Sequence, residues 1–171
     1  MDAKRSEMGL DPSVVLNGRM RVSAKADYAV RAAIELASAP PDEPVKGDAI
    51  AAAQDIPLRF LENILAEMRQ QGLVHSRRGT EGGYWLARPA DDITIAEVIR
   101  SVEGPLASVR GTRPDQLAYR GAAEPLKEVW VALRANIRGV LETVTLADVV
   151  AGVLPAPVSE LSEHPESALD R

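Results

Sequence analysis

The stretch IPLRFLENILAEMRQQG, residues 56–72, decides the fold. Pro57 suits the first turn of a helix and Gly72 suits its end, so a helix is expected from Pro57 to about Gln71. Its apolar residues recur at helical spacing and form one inward stripe: Leu61, Ile64, Leu65 and Met68. The polar residues at the start of this helix therefore lie on other faces, where a partner can contact them.

Two patterns ahead of this helix predict two more helices. Ser23 suits an N-cap, and residues 24–39 carry apolar positions at helical spacing until a pair of prolines stops the helix. A short helix is then expected from a cap at Asp48 through Gln54. Because only a tight turn follows, the second and third helices form a helix-turn-helix.

A β-hairpin is expected next. Residues 73–76 and 83–86 have the composition of two short strands, and the intervening RRGTEG, residues 77–82, contains glycines that permit turn geometries. A helix-turn-helix followed by such a hairpin is a winged helix. It lays its recognition helix in the major groove and lets the wing touch phosphates or the minor groove.

Two capping boxes flank a long helix. Thr94 with Glu97 starts a helix to about residue 102, and Thr145 with Asp148 starts another to about residue 153. Between them, apolar residues follow the spacing of a coiled-coil seam: Leu126, Val129, Trp130, Leu133, Ile137, Val140, Leu141 and Val144. Such a seam requires a partner. The fold class is therefore mainly α with a small β-wing, a winged helix-turn-helix plus a long C-terminal dimerisation helix.

Composition narrows the function. The 171 residues carry a net charge of -5, which argues against general affinity for nucleic acid or anionic membranes. Between residues 58 and 88, however, five arginines accompany three glutamates, so any DNA contact must be local. The absence of cysteine excludes disulfides, thiolate metal sites and a cysteine nucleophile, and no catalytic constellation favours an enzyme. No apolar stretch approaches the ~20 residues that span a bilayer, so a cytoplasmic protein is expected.

The candidate DNA-binding residues fall into three groups. At the start of the first helix, a hydroxyl, a cation and a phenol can hold a phosphate: Ser23, Lys25 and Tyr28. On the recognition helix, the candidates for phosphate and base edges are Arg59, Phe60, Glu62 and Asn63. On the wing, two arginines suited to a narrow minor groove accompany the turn glycines and a tyrosine: Arg77, Arg78, Gly79, Gly82, Gly83 and Tyr84.

Simpler structural roles remain open for several of these residues. Arg59 and Glu62 also suit an ordinary solvated helix face. Tyr28 suits packing as well as it suits DNA, and packing of the wing is the favoured role for Tyr84 and Trp85. A purely structural role suits the arginine pair of the wing less well than it suits the other candidates. This pair is therefore the strongest support for the DNA-binding prediction.

In order along the chain, these motifs resemble the Rrf-two family of bacterial winged-helix regulators, which includes an iron-sulfur cluster regulator and a repressor of cysteine metabolism. The matching pieces are MRVSAK with YAVR (residues 20–25 and 28–31), IPLRFLENIL (56–65), GLV (72–74), RG (78–79), GGY with LARP (82–84 and 86–89), ITI (93–95), EGP (103–105) and TLAD (145–148). The resemblance covers residues 20–153.

The resemblance implies a homodimeric transcription factor, usually a repressor, whose long helix pairs across a two-fold axis and whose recognition helices read a near-palindromic DNA operator. It also implies roles for single residues. Glu62 would read a base, with Arg59 and Phe60 as its neighbours, and Arg78 would be the minor-groove arginine of the wing. The backbone contacts would come from Ser23, Lys25 and Tyr28.

One departure from the family concerns its cofactor. Many members hold an iron-sulfur cluster on three cysteines between the positions of Ala107 and Ala122, and this chain has neither cysteine nor histidine there. No cofactor is therefore expected, because thiolates are the ligands such clusters need. The resemblance then implies the cluster-free branch, which responds to an effector metabolite or a partner protein.

The expected organisation has five parts: a flexible arm or misassigned start at residues 1–19, the winged helix-turn-helix at 20–105, a sensor or linker loop at 106–121, the dimerisation helix and a terminal short helix at 122–153, and a disordered tail at 154–171. The expected function is that of a homodimeric, sequence-specific DNA-binding repressor that lacks an iron-sulfur cluster. A constitutive repressor with a vestigial loop is the alternative within this class. Outside it, the alternative is a protein-interaction module that uses the winged helix to bind another protein.

Overall fold

Seven α-helices and one two-stranded sheet make up the part of the chain that the computed structural model describes, residues 22–163. In chain order they are α1 (Ala24–Ser38), α2 (Gly47–Gln54), α3 (Leu58–Gln70), β1 (Val74–Arg77), β2 (Gly83–Leu86), α4 (Ile95–Glu103), α5 (Leu126–Leu141), α6 (Leu146–Ala151) and α7 (Ala156–Glu163). The expected arm at residues 1–19 and the last eight residues of the expected tail lie outside this span. The mainly helical fold with a small wing is confirmed.

Local capping fixes where most helices begin. The Ser23 hydroxyl accepts a hydrogen bond from the Ala26 N–H at 3.0 Å, as an N-cap does. Both expected capping boxes form. The hydroxyls of Thr94 and Thr145 each accept a hydrogen bond from the backbone N–H three residues ahead, and the backbone N–H of each threonine donates to the carboxylate of that same residue. The cap expected at Asp48 is wrong, since α2 begins one residue earlier. Its start is set by a long-range backbone pairing described below.

The core of the winged helix lies where α1, α3 and α4 meet. The stripe predicted on α3 is fully buried, with Leu61, Ile64, Leu65 and Met68 each at most 1% exposed. Small residues on α1 let the helices approach closely, and α4 adds its own apolar face; these residues are Ala29, Ala32, Ala33, Ala96 and Val98. Because α3 is held along its whole inner face, its outer face is presented rigidly.

The chain returns to this core after α5. The Ile95 N–H donates to the Val144 carbonyl and the Leu146 N–H donates to the Ile93 carbonyl, each at 2.9 Å. Leu146 is fully buried and Val144 is 6% exposed within the same core. The assignment of Val144 to the dimer seam is therefore wrong: α5 ends at Leu141, and the spacing continues past that end only by coincidence.

The wing is a short antiparallel hairpin whose second strand also pairs with a residue ahead of α2. Arg77 faces Gly83 in the register of β1 and β2, and Val45 forms an isolated bridge to Tyr84. That bridge holds residue 46 extended, so α2 starts directly after it. A side chain on Gly83 would come within 2.5 Å of the Val45 carbonyl, which explains why a glycine stands there.

The segments around α5 differ from the expectation in two places. The long helix begins at Leu126 rather than at residue 122, because a 3-10 turn over Gly121–Ala123 and a proline at position 125 precede it. The tail is helical over Ala156–Glu163, so the expected disorder is wrong for those residues; α7 lies along α5 through Val158 and Leu161. No helix in residues 22–163 combines the length and apolar content needed to cross a bilayer.

Candidate nucleic-acid interface

The outer face of α3 is open to solvent at its N-terminal end. Arg59, Glu62 and Asn63 are exposed, and Phe60 is 43% exposed although it is aromatic. None of the three polar side chains makes a salt bridge within the described residues. The helix thus offers a cation, a carboxylate and an amide in neighbouring turns, which are the groups that recognise phosphates and base edges.

Tyr28 supports this face from behind. Its ring meets the Phe60 ring edge-on, with the two centroids 5.8 Å apart, and the Arg31 guanidinium lies 5.4 Å from the centre of the Tyr28 ring. Tyr28 also packs against the hydrophobic core. The structure therefore gives Tyr28 the packing role that the sequence left open, and this packing sets the position of Phe60.

The other two candidates on α1 are engaged inside the protein. Ser23 donates to a Glu103 carboxylate oxygen at 2.5 Å while it caps the helix. Lys25 donates to the Val102 carbonyl at 2.8 Å and forms a 2.7 Å ion pair with Glu67. A phosphate contact by Lys25 would have to replace that ion pair, so its first role is to join α1 to α3 and α4.

The wing presents one arginine freely. Arg78 is exposed and has no hydrogen bond or ion pair within residues 22–163, whereas Arg77 donates to the Glu81 carbonyl at 2.8 Å. Gly79 has a φ of +100°, and a Cβ on Gly82 would lie 2.1 Å from the Arg77 carbonyl, so both turn positions require glycine. The tight turn therefore leaves Arg78 as the cation that extends from its surface.

The aromatic residues of the wing pack rather than reach outward. Tyr84 is half-buried and packs against the core, and its backbone pairs with Val45. Trp85 is half-buried and lies opposite His75 across the hairpin, with ring centroids 5.8 Å apart. Tyr84 therefore packs against the body of the winged helix, whereas Trp85 contacts the exposed His75 ring and its packing against the body stays a prediction.

Two sets of side-chain hydrogen bonds at the wing were missed by the sequence reasoning. Lys46 donates to the carbonyls of Gly79 and Thr80 at the tip of the hairpin, and Arg69 at the end of α3 donates to the Ser76 hydroxyl at 3.1 Å. The Lys46 contacts join residues more than thirty positions apart, so no local pattern carried a signal for them. Both sets join the wing to the helix-turn-helix.

The positive charge near the wing is more focused than the count of arginines suggests. Arg88 forms a 2.7 Å ion pair with Glu97, and so it contributes little positive potential. Partial burial raises the pKa of Glu97, but the Thr94 N–H and the Arg88 guanidinium outweigh it and the pKa is lowered overall. Arg59, Arg69, Arg77 and Arg78 make no salt bridge within residues 22–163. Arg69 and Arg77 donate to neutral oxygens of the wing, whereas Arg59 and Arg78 make no hydrogen bond among the described residues.

A second exposed feature is the apolar stripe of α5. No residue of α5 is buried, although ten of its sixteen residues are apolar, and Val129 is 55% exposed. The stripe forms one wall of a groove of about 900 Å³; its other walls come from the start of α1, the end of α4, the segment 104–109 and Leu161 of α7. From α5 the groove is lined by Trp130, Leu133, Asn136, Ile137, Val140 and Leu141.

The loop between α4 and α5 is anchored to both helices. Leu106 and Leu117 are buried, and the Leu106 carbonyl accepts from the Arg134 guanidinium at 2.7 Å. At the far end of α5, Glu142 accepts from Arg138 at 2.9 Å and also pairs with Arg100 of α4. The loop therefore connects the long helix directly to the winged helix.

An exposed recognition helix beside a glycine-turned wing with a free arginine defines a winged-helix DNA-binding protein. Residues 22–152 match the model of the Rrf2 (Rrf-two) family, described as an iron-dependent transcriptional regulator. The chain belongs to this family, and it is a transcriptional regulator rather than an enzyme.

The relatives are regulators of the same size. An HTH-type transcriptional regulator of Mycobacterium tuberculosis is 54% identical over 144 residues, which are 84% of this chain and 89% of that protein. The regulator CymR of Bacillus subtilis is 33% identical over 77% of this chain and 91% of its own length. Its solved structure, titled the global cysteine regulator, matches with a TM-score of 0.67 and 32% identity over 79% of this chain and 99% of that one.

The iron that the family description implies does not fit the donors of this chain. The sequence contains no cysteine, and residues 106–121 offer a single carboxylate, Asp115, which is ion-paired with Arg113 at 3.0 Å. Within residues 22–163 no three histidine, aspartate or glutamate side chains come together as a metal site. A structure titled T. potens IscR matches with a TM-score of 0.62 and 32% identity over 89% of this chain and 93% of that one.

Proposed function

We propose that this protein is a homodimeric repressor that binds a near-palindromic operator and releases it in response to a metabolite or a partner protein. The observation that carries the proposal is that two different surfaces lie exposed in residues 22–163: the polar outer face of α3 with Arg78, and the apolar stripe of α5. The first suits DNA, and the second suits another copy of the chain. A regulator of this kind acts in the cytoplasm, where bacterial DNA lies.

The groove beside α5 supports the proposed dimer. An exposed valine and half-buried leucine, isoleucine and tryptophan side chains form a continuous apolar surface that water covers in a single chain. Helix packing against this surface would bury it, and two-fold symmetry makes the same surface available on both copies. The proposed dimerisation residues are Leu126, Val129, Trp130, Leu133, Ile137, Val140 and Leu141.

The dimer in turn sets the form of the operator. Two recognition helices related by a two-fold axis read two half-sites about 34 Å apart, one turn of DNA. We assign base reading to Glu62 and Asn63, phosphate or base contact to Arg59, and a thymine methyl contact to Phe60. Arg78 would enter the minor groove beside each half-site.

The effector is proposed to act on the loop that follows α4. This loop contacts α5 through the bond between Leu106 and Arg134, so a change in the loop changes how α5 meets the winged helix. In a dimer, that junction sets the spacing of the two recognition helices. A ligand that favours one spacing shifts the population between DNA-binding and released states.

The test is selection of genomic DNA fragments by the purified protein, followed by sequencing of the enriched fragments. We expect a shared near-palindrome with half-sites one turn apart. The Arg78→Ala variant should lose most of its operator affinity while its sedimentation stays that of the wild type. Absence of any enriched motif with folded wild-type protein, with and without cell extract, would contradict the proposal.

A further inference from the structure

Lys46 stands where two parts of the DNA-binding surface meet. It is the residue directly before α2, and its ammonium donates to the Gly79 carbonyl at 3.1 Å and to the Thr80 carbonyl beside it. Both acceptors belong to the turn of the wing. A cation on the helix-turn-helix thereby holds the tip of a hairpin that is far away in sequence.

A second cation closes the same turn from the other side. Arg77 donates to the Glu81 carbonyl at 2.8 Å, so three successive carbonyls of the turn, those of residues 79, 80 and 81, each accept from a positively charged side chain. The Gly82 N–H also donates to the Gly79 carbonyl at 3.0 Å. With its carbonyls occupied by these donors, the turn is ordered before any DNA arrives.

The second strand of the hairpin is held by the neighbouring residue. The Val45 N–H donates to the Tyr84 carbonyl and the Val45 carbonyl accepts from the Tyr84 N–H, both at 2.8 Å. Val45 therefore fixes β2 close to the turn, and Lys46 fixes the turn itself. The turn carries Arg78, the exposed arginine of the wing that has no partner among the described residues.

We propose that Lys46 is a positioning residue for DNA binding: it holds the wing turn against α2 so that Arg78 is placed correctly relative to the recognition helix. The proposal rests on the proposed role of Arg78 in DNA binding. Lys46 acts through the wing and makes no contact with DNA itself. Ordering the turn in advance lowers the conformational entropy lost on binding.

The direct test is a double-mutant cycle on operator affinity at low salt, with Lys46→Met and Arg78→Ala alone and combined. Lys46→Met keeps the length of the side chain but removes its charge and donors. We expect it to weaken binding by about three- to tenfold, as for an exposed charge-assisted hydrogen bond, and to have no further effect in the Arg78→Ala background. Lys46→Arg, which restores a cationic donor, should recover most of the affinity.

The salt dependence separates positioning from a direct phosphate contact. Loss of a phosphate contact lowers the slope of log K against log salt by about 1. Such a drop in slope for Lys46→Met in the Arg78→Ala background, or equal losses of affinity from Lys46→Met in both backgrounds, would overturn the proposal. An unchanged affinity for Lys46→Met would overturn it as well.

Hydrogen exchange of the free protein tests the contact between Lys46 and the wing turn in the absence of DNA. In Lys46→Met, the Gly82 amide should exchange about three- to tenfold faster, since its acceptor carbonyl loses a fixing bond, while the Tyr84 amide, which donates to the Val45 carbonyl, should not change. Unchanged exchange at Gly82 would contradict the ordering of the wing turn by Lys46. Faster exchange without any loss of operator affinity would support that ordering but contradict the role of the wing in DNA binding.

Discussion

The winged helix and α5 differ in how far their apolar stripes are buried. Both α3 and α5 carry an apolar stripe at helical spacing, but every stripe residue of α3 is at most 1% exposed, whereas no residue of α5 is buried. The stripe of α3 finds its partner within the chain, on α1 and α4. Among residues 22–163, α5 meets the edge of α4, the turn at Pro114–Gln116 and α7, and these leave its stripe unburied. An amphipathic pattern therefore predicts that a face will be covered, and not which chain covers it.

The largest expected difference between the two regions is in the cost of removing a leucine. Leu65→Ala on α3 should lower the free energy of unfolding by about 2–5 kcal/mol at every protein concentration, because it leaves a cavity in a closed core. Leu133→Ala on α5 should mainly weaken dimer association, so its effect on Tm should depend on concentration. Thermal unfolding at several concentrations measures both. Equal, concentration-independent losses would remove the distinction.

A closer comparison uses two valines of the predicted seam. Val144→Ala should cost about 2 kcal/mol of stability, because Val144 is buried in the core of the winged helix. Val140 lines the groove. Val140→Ala should therefore leave the stability of the separated chain almost unchanged while it weakens the dimer. Chemical denaturation measures the stability of each variant, and sedimentation measures its dimer association. A dimer weakened by Val144→Ala with stability unchanged would return Val144 to the seam.

The capping box of α6 tests whether this helix belongs to the winged helix. Thr145→Ala should cost about 1 kcal/mol of the free energy of unfolding, since it removes the acceptor for the Asp148 N–H. Thr143→Ala is the matched control, because its hydroxyl is exposed and only donates back to its own helix. Denaturant titration should therefore separate the two variants. Similar stabilities would mean that α6 does not contribute to the core.

The smallest effect expected is a loss of stability in acid. The Arg138 and Arg100 guanidinium groups lower the pKa of Glu142, and the Thr145 N–H lowers that of Asp148. A carboxyl whose pKa is lower in the folded state stabilises the protein above its ordinary pKa of about 4 and loses that contribution as the pH falls further. Tm should thus decline below about pH 5, and less steeply in Glu142→Gln. An identical decline in both proteins would contradict this origin.

Sequence patterns predicted the winged helix well because its signals are local. The α3 stripe, the Ser23 cap, both capping boxes and the glycine turn each lie within a few residues and fold as expected. The outward face of α3 followed from the same period, because residues that are not in the stripe must point elsewhere.

The errors arise where distant residues decide. Asp48 has the side chain of a cap, but the bridge between Val45 and Tyr84 starts α2 earlier. Val144 continues the seam in spacing, yet the helix has already ended and the chain has turned back to the core. Lys46 showed no signal, because its acceptors are two backbone carbonyls on another element.

The most direct test of the central claim is sedimentation of the full chain with a charge placed in the groove. The account predicts that the wild type at micromolar concentration sediments with twice the mass of one chain. Ile137→Glu should sediment as a single folded chain and lose operator binding, and Ala132→Glu, on an exposed position of α5 outside the groove, should behave as the wild type. A wild-type protein that is a single chain at that concentration and still binds its operator would contradict the account.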